Sequence, residues 1–225
     1  MKKYVIIVAG GSGTRMNSDV PKQFILLNGK PVLYYSINTF LTVYNDCKVI
    51  LVLPADHVAA GQEIIDAFFD YGRIKIVTGG RTRFHSVQKG LELIDDEEGI
   101  IFVHDAVRPL VSKELIERCY DSAAIYGSAV PVIDCKDSLR KITDEENEPV
   151  DRSNIKMVQT PQAFHGKILI PAFKIDYKEK FTDEAVVVEA FGLKVSPAVG
   201  DEENIKLTVP IDMLLAELIL DSRNK

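Results

Sequence analysis

Tyr4-Val5-Ile6-Ile7-Val8-Ala9-Gly10-Gly11-Ser12-Gly13-Thr14-Arg15-Met16, followed at a short distance by Pro21-Lys22-Gln23, is the stretch that decides the fold. A continuous run of β-branched and aliphatic residues that stops on glycines reads as a strand buried on both faces. Such strands belong to parallel sheets covered by helices. Gly10, Gly11 and Gly13 let the chain turn sharply at the strand end and present N–H groups to phosphate oxygens. Arg15 and Lys22 bring positive charge to the same place. The spacing meets neither G-x-x-x-x-G-K-[ST] nor G-x-G-x-x-G, so a P-loop and the dinucleotide fingerprint are both excluded. Taken alone, the glycine cluster is equally an ordinary strand-to-helix turn.

Three further runs of the same kind follow, Val49–Leu53, Ile74–Val77 and Ile100–Val103. The segments between them predict helices: Pro31–Thr42 with Pro in the first turn, Ala55–Tyr71, and Arg83–Ile94 after a Gly-Gly turn. This alternation implies right-handed crossovers and an α/β fold with a doubly wound, mostly parallel sheet. Ser112–Ala124 predicts another helix, with Ser112 as N-cap and Leu115, Ile116 and Cys119 facing inward, then a strand near Ser128–Val132. At about residue 134 the pattern breaks. Asp137–Ile142 and Val150–Val158 alternate polar and apolar residues around the acidic turn Thr143–Pro149, which predicts a protruding hairpin arm over about 134–160. A polar hairpin stands poorly alone, so the arm is expected to find support on a second subunit. A helix around Phe181–Phe191, a strand Lys194–Val199 and a helix from Pro210 complete the chain. With no repeat or linker, residues 1–225 read as one domain.

The composition fits a core-forming protein, at 46% hydrophobic residues, and a net charge of −6 argues against nucleic acid or an anionic membrane as partner. Residues 1–112 carry 12 basic and 12 acidic side chains, so the remaining 15 basic and 21 acidic ones place the whole excess in the second half. Arg15, Lys22, Arg81, Arg83 and Arg108 stand in or beside Gly- or Pro-marked loops rather than in salt-bridged helical patterns, which points to a small anionic ligand. The apolar run within Met1–Ala9 is too short for a signal-peptide core, and no stretch is long enough to span a bilayer. Cys47, Cys119 and Cys135 lack C-x-x-C spacing, which disfavours disulfides and zinc and fits a reducing cytoplasm.

Asp105 lies just beyond the run Ile100–Val103, at the strand end where open α/β sheets place ligands. A carboxylate there suits Mg²⁺, which takes one or two protein oxygens and fills its shell with phosphates and water. The alternative is a structural pair with Arg108. His104 reads as a packed strand-end histidine, since no second His or Cys stands at metal spacing.

The glycine loop with Arg15-Met16 and Pro21-Lys22-Gln23 resembles the signature loop of nucleotidyltransferases acting on sugar or polyol phosphates. Further segments narrow the resemblance: Gly79-Gly80-Arg81-Thr82-Arg83-Phe84-His85-Ser86-Val87, His104-Asp105-Ala106-Val107-Arg108-Pro109, Thr160-Pro161-Gln162-Ala163-Phe164, Thr182-Asp183-Glu184-Ala185, and Asn204-Ile205-Lys206-Leu207-Thr208. In this order, over almost the whole chain, they are similar to the 2-C-methyl-D-erythritol 4-phosphate cytidylyltransferase family, with ribitol 5-phosphate cytidylyltransferases as close relatives.

The resemblance implies a Rossmann-like nucleotidyltransferase fold and transfer of a cytidylyl group from CTP to a polyol phosphate. It implies that Arg15, Lys22 and Lys206 are catalytic cations around the phosphates. Ala9, Gly10, Gly11, Ser12, Gly13, Thr14, Gly79, Gly80, Ser86, Asp105 and Ala106 would bind the nucleotide, with Gly80 and Ser86 at the cytosine and Asp105 holding Mg²⁺. Ser86 is alternatively the cap of its helix. Arg108, Ser138, Arg152, Thr160 and Thr182 would bind the acceptor. By the resemblance, Arg152 of the Asp151-Arg152 pair would serve the neighbouring subunit's site in a homodimer. The alternative for Arg152 is a surface salt bridge. The chain departs from the family pattern at Gly10, Val107, Ser138 and Arg140, where Ala, Ala, Thr and Lys are usual. The last two bear on the acceptor more than on the reaction. A rival of another class is a nucleotide-binding regulator without catalysis, against which the joint retention of Arg15, Lys22, Asp105 and Lys206 speaks.

Overall fold

A computed structural model describes residues 1–11, 16 and 20–223 of the chain. The strand that opens the sequence, β1 (Lys3–Val8), lies inside the main sheet, paired in parallel with β4 (Lys48–Leu53) on one side and β6 (Ile100–Asp105) on the other. A small antiparallel pair, β2 (Leu26–Leu27) and β3 (Lys30–Pro31), precedes α1 (Val32–Val43). After β4, α2 (Val58–Phe68) leads to β5 (Ile74–Thr78) at the sheet's edge. The chain then crosses back through α3 (Arg83–Leu91) to β6. Reversing direction at β1 creates the crevice that such sheets offer to ligands, at the carboxyl ends of the strands. The register aligns those ends, with Val8 opposite both Val52 and Asp105, and Leu53 opposite Thr78.

Alternation along each central strand sends side chains to two cores. Val5 and Ile7 of β1, with Val49, Leu51 and Leu53 of β4, pack under α1, α2 and α4 (Lys113–Tyr126). Tyr4 and Ile6, with Ile50, Val52, Ile101 and Val103, pack under α3, α5 (Gly166–Ala172) and α6 (Glu184–Ala190). Helices thus cover both faces, which is why these strands read as unbroken apolar runs. The Ser112 side chain caps α4 by accepting from the Leu115 amide, and Leu115, Ile116 and Cys119 are fully buried, as expected. Gly127 ends α4 at φ 86°, where a Cβ would also collide with Ile168 at 2.6 Å.

The second half departs from simple alternation. β7 (Ser128–Asp134) is followed by a separate two-stranded ladder, β8 (Leu139–Ile142) against β9 (Asn147–Val150). The sequence pattern extends the hairpin's return to Val158, but the structure ends it at Val150. Asp151 caps a turn of 3₁₀ helix, Arg152–Asn154, and β10 (Lys156–Val158) then pairs with β7 in the main sheet. β11 (Gln162–His165) runs antiparallel between β6 and β7, an element the pattern does not disclose because its ends are polar. The peptide between Thr160 and Pro161 is cis. β12 (Pro197–Val199) closes the other edge of β7, starting later than the predicted Lys194. α7 (Pro210–Arg223) begins where proline predicts it.

Two helices are shorter than their apolar spacing suggests. The segment 55–71 divides into a 3₁₀ turn, α2, and a second 3₁₀ turn, with Phe69 extended after α2. α3 stops at Leu91, where the Glu92 amide is shared between the Gln88 and Gly90 carbonyls. Among the described residues no helix is long and apolar enough to cross a membrane.

Candidate active site

The carboxyl ends of β1, β4, β5 and β6 open into a pocket of about 470 Å³. Its floor is the start of the glycine loop: Ala9, Gly10 and Gly11 line it, and the Ala9 amide continues the sheet by donating to the Val52 carbonyl. Ser12, Gly13, Thr14 and Arg15 lie outside the described residues. Beyond the loop, Pro21 leads into a 3₁₀ turn, Lys22–Phe24, and the Gln23 side chain donates to the Ala9 carbonyl at 2.9 Å, tying this turn to the strand end. Lys22 is thereby brought over the loop. It is only 9% exposed, its Nζ donates to the Leu207 carbonyl at 3.2 Å, and a Cβ on Gly11 would come within 3.3 Å of its Cε.

The Gly79-Gly80 turn after β5 forms a second wall. Gly80 sits so close to α3 that a Cβ would fall 2.4 Å from that of His85, so only glycine fits there. The cap of α3 is Thr82, whose side chain accepts from the His85 amide. Ser86 is therefore not the cap. Its hydroxyl lies inside the helix, donating to the Thr82 carbonyl at 2.9 Å and accepting from the Gly80 amide at 3.2 Å, so it holds the Gly-Gly turn against the helix.

The third wall is the end of β6. Asp105, with a side chain 9% exposed, meets Lys206 Nζ through Oδ2 at 2.7 Å and Arg83 through Oδ1 at 3.1 Å. The alternative partner, Arg108, makes no hydrogen bond or ion pair with Asp105. Arg108 donates instead to the Asn204 carbonyl at 2.7 Å, because the Asn204–Thr208 segment runs beside it and draws its fork away. Arg83, expected as a loop cation open to an anion, is committed to two carboxylates, Asp105 and Glu184. Burial works to raise the Asp105 pKa, but Arg83 and Lys206 outweigh it and hold the carboxyl well below its ordinary range. Ala106 continues the β6 ladder by donating to the Val8 carbonyl.

Behind Asp105, His104 is fully buried. Its Nε2 lies 3.1 Å from the Arg108 carbonyl, which can only accept, so Nε2 carries the proton and Nδ1 accepts from the Thr160 hydroxyl at 3.2 Å. Thr160 Oγ1 in turn accepts from the Asp105 amide at 3.0 Å. Burial pushes the His104 pKa down to about 4, in keeping with a packed, neutral histidine. The Thr160 hydroxyl is thus engaged on both sides within the protein.

The remaining expected acceptor residues do not line this pocket. Ser138 and Thr182 are exposed, and Arg152 sits at the arm's root, donating to the Lys136 carbonyl. The structure brings together Lys22, Lys206, Asp105, Gly79, Gly80 and Ser86 around one pocket, while Arg152 lines a different one with Lys136 and Lys156. Sequence reasoning gave no role to Glu184 and did not pair it with Arg83, although both stand inside quoted motifs. The signal available was the presence of an acid in a segment that must also bury Ala185. Among the described residues no three His, Cys, Asp or Glu side chains cluster as a metal cage. One buried, ionised carboxylate at a strand end nonetheless suits a cation that draws its other ligands from phosphates and water.

A family model described as 2-C-methyl-D-erythritol 4-phosphate cytidylyltransferase matches residues 3–222. A protein of that name from Phocaeicola vulgatus is 44% identical over 220 residues, a match spanning 98% of this chain and 100% of the relative. The solved 4-diphosphocytidyl-2C-methyl-D-erythritol synthase from Anaerococcus prevotii is similar at a TM-score of 0.83 and 28% identity, covering 98% of this chain and 96% of that one. The bifunctional IspDF from Campylobacter jejuni matches 96% of this chain at a TM-score of 0.81 and 30% identity, and the chain spans about half of it, 54%.

Proposed function

The chain belongs to the 2-C-methyl-D-erythritol 4-phosphate cytidylyltransferase family, and on that premise we propose that it transfers the cytidylyl group of CTP to 2-C-methyl-D-erythritol 4-phosphate, giving 4-diphosphocytidyl-2-C-methyl-D-erythritol and pyrophosphate. The observation that carries this reading is the convergence of Lys22, Lys206 and Asp105 on a pocket floored by a glycine loop and walled by a glycine turn. Such a site supplies donors and charge rather than a covalent nucleophile, which is what nucleotidyl transfer requires.

In the reaction an oxygen of the acceptor phosphate forms a bond to the α-phosphorus of CTP, and the bond from that phosphorus to the bridging oxygen of the departing pyrophosphate breaks. The attacking phosphate is already ionised, so no general base is needed. Lys22, largely shielded from water, stabilises the charge that grows on the α-phosphate oxygens and the leaving group, an effect strengthened by the low local dielectric. Lys206 contributes a second cation and Arg15 a third. Asp105 would hold Mg²⁺, whose contribution when bound is to offset phosphate charge. On this reading Ala9, Gly10, Gly11, Ser12, Gly13, Thr14 and Ala106 would bind the phosphates, and Gly79, Gly80 and Ser86 would take the cytosine, where a tight glycine turn leaves little room for a purine.

On the acceptor side this reading places Arg108, Ser138, Arg152, Thr160 and Thr182. Arg152 stands on the arm, away from its own chain's pocket, which supports an arrangement in which each arm of a homodimer completes the partner's site. The chain is then a single catalytic domain with a dimerisation arm, working in the cytoplasm with its three cysteines unpaired. A pyrophosphate-release assay with CTP, Mg²⁺ and a panel of polyol phosphates tests the assignment. Release is expected with 2-C-methyl-D-erythritol 4-phosphate. Equal or faster release with ribitol 5-phosphate would overturn the acceptor, and none with any acceptor would overturn the activity.

A further inference from the structure

Arg83 is gripped by carboxylates from two different elements. Its Nε and Nη2 donate to Asp105 Oδ1 at 3.3 and 3.1 Å, while Nη1 and Nη2 donate to Glu184, the latter at 3.1 Å. Glu184, the first residue of α6, has a side chain only 1% exposed. An ionised carboxylate at that depth is costly unless it is paired, and Arg83 is the cation that pairs it. Neither residue is engaged by the mechanism above. The charges form a row, Lys206, Asp105, Arg83, Glu184, that alternates in sign and runs from the pocket into the protein.

We propose that Arg83 and Glu184 form a positioning pair for Asp105, fixing Oδ1 so that Oδ2 is the oxygen left to face a divalent cation. The planar fork holds both carboxylates through several donors in fixed directions, which the single ammonium of a Lys would not reproduce. Glu184 contributes twice. It orients the fork, and it cancels the guanidinium charge that would otherwise stand behind a site meant for a doubly charged ion. Oδ2, which Lys206 contacts at 2.7 Å, is then the exchangeable oxygen, and Lys206 the group that moves to phosphate when the cation takes its place. This inference rests on the reading of the pocket as a Mg²⁺–CTP site.

The test measures CTP affinity by calorimetry with and without Mg²⁺, acceptor absent, in wild type, in Glu184→Gln, and in the double variant Arg83→Gln with Glu184→Gln. The double variant removes both charges together and leaves no uncompensated buried ion, so it reports even where the single variant does not fold. In the wild type Mg²⁺ should tighten CTP. In both variants that tightening should shrink about tenfold, the usual cost of losing a supporting partner of a metal ligand, with CTP affinity in the absence of Mg²⁺ unchanged. A folded double variant that keeps the full wild-type tightening overturns the positioning pair, reducing Arg83 and Glu184 to a structural clamp between α3 and α6. Absence of tightening in the wild type itself would overturn the underlying site reading instead.

Discussion

Lys206 Nζ lies 2.7 Å from Asp105 Oδ2 across 101 residues of chain, so the motif nearest the C-terminus closes onto the one at the end of β6. The contact gives Asp105 a cation for each oxygen, Arg83 on one and Lys206 on the other.

From this pairing, Asp105→Asn should raise the Mg²⁺ concentration needed for half-maximal activity far more than it raises the KM for CTP at saturating Mg²⁺. The carboxyl is held below its ordinary range, so the wild-type Mg²⁺ response should persist undiminished through mildly acidic pH. A Mg²⁺ titration that is the same for both proteins would return Asp105 to a structural role.

Lys22→Ala should lower kcat about a hundredfold, roughly 3 kcal/mol of barrier, because the lost charge acts on groups that become more negative in the transition state. CTP affinity should change less. Steady-state kinetics on the folded variant decide the matter, and a near-normal kcat would remove Lys22 from catalysis.

Mixing inactive Arg152→Ala with inactive Lys22→Ala protein, under conditions that exchange subunits, should restore up to about a quarter of wild-type activity if each arm serves the other subunit's site. Heterodimers then hold one intact site. If Arg152 serves its own chain, no site is intact, and demonstrated exchange without recovery sinks the shared-site arrangement.

His104 gives a pH signature of stability. Its folded pKa is depressed to about 4, so below its ordinary value of 6.5 the unfolded chain binds a proton that the folded chain refuses. Stability contributed by neutral His104 is therefore full above about pH 6.5 and is lost as pH falls toward 4, to the extent of about 3 kcal/mol. Urea midpoints measured across this window should fall with pH in the wild type and fall less in His104→Asn. Parallel slopes would contradict the assignment.

Gly80→Ala should move the turn that faces the nucleotide, since the new methyl would lie 2.4 Å from His85 Cβ and 3.0 Å from its carbonyl carbon. Overpacking of this kind costs about 1–3 kcal/mol, and CTP affinity should fall with stability. Unchanged binding would show that the turn does not touch the base.

The residues that made the fold legible are those whose environment is uniform along the chain. β1, β4 and β6 are sandwiched between helices, so most of their positions are apolar and the strands announce themselves, and the edge strand β5 keeps enough of that pattern at Ile74, Ile76 and Val77 to be read. β11 does not, because Gln162 and His165 at its ends are paired to other parts of the chain. The Gln162 side chain accepts from the Ala185 amide, and His165 bonds the Glu97 carbonyl. The glycine loop, Lys22, Asp105 and Lys206 were readable as motifs, and the structure joins the described ones. Who pairs with whom was not readable. Arg108 is the Arg or Lys residue nearest Asp105 in sequence and Arg83 stands 22 residues from it, yet the path of the Asn204–Thr208 segment sends Arg108 to a carbonyl and leaves Asp105 to Arg83.

The central place of β1 has a consequence for how the molecule comes into being. As the chain leaves the ribosome, β4 can be laid beside β1 and β5 beside β4 early, whereas β6, and with it Asp105, arrives only after α3 has crossed the sheet. The two glycine turns therefore exist before the carboxylate that completes the pocket, and Lys206 comes later still. A nucleotide that needs all of them can stabilise only the finished sheet, by mass action on the native state. Free CTP should thus protect completed molecules from unfolding without hastening the first steps of their assembly.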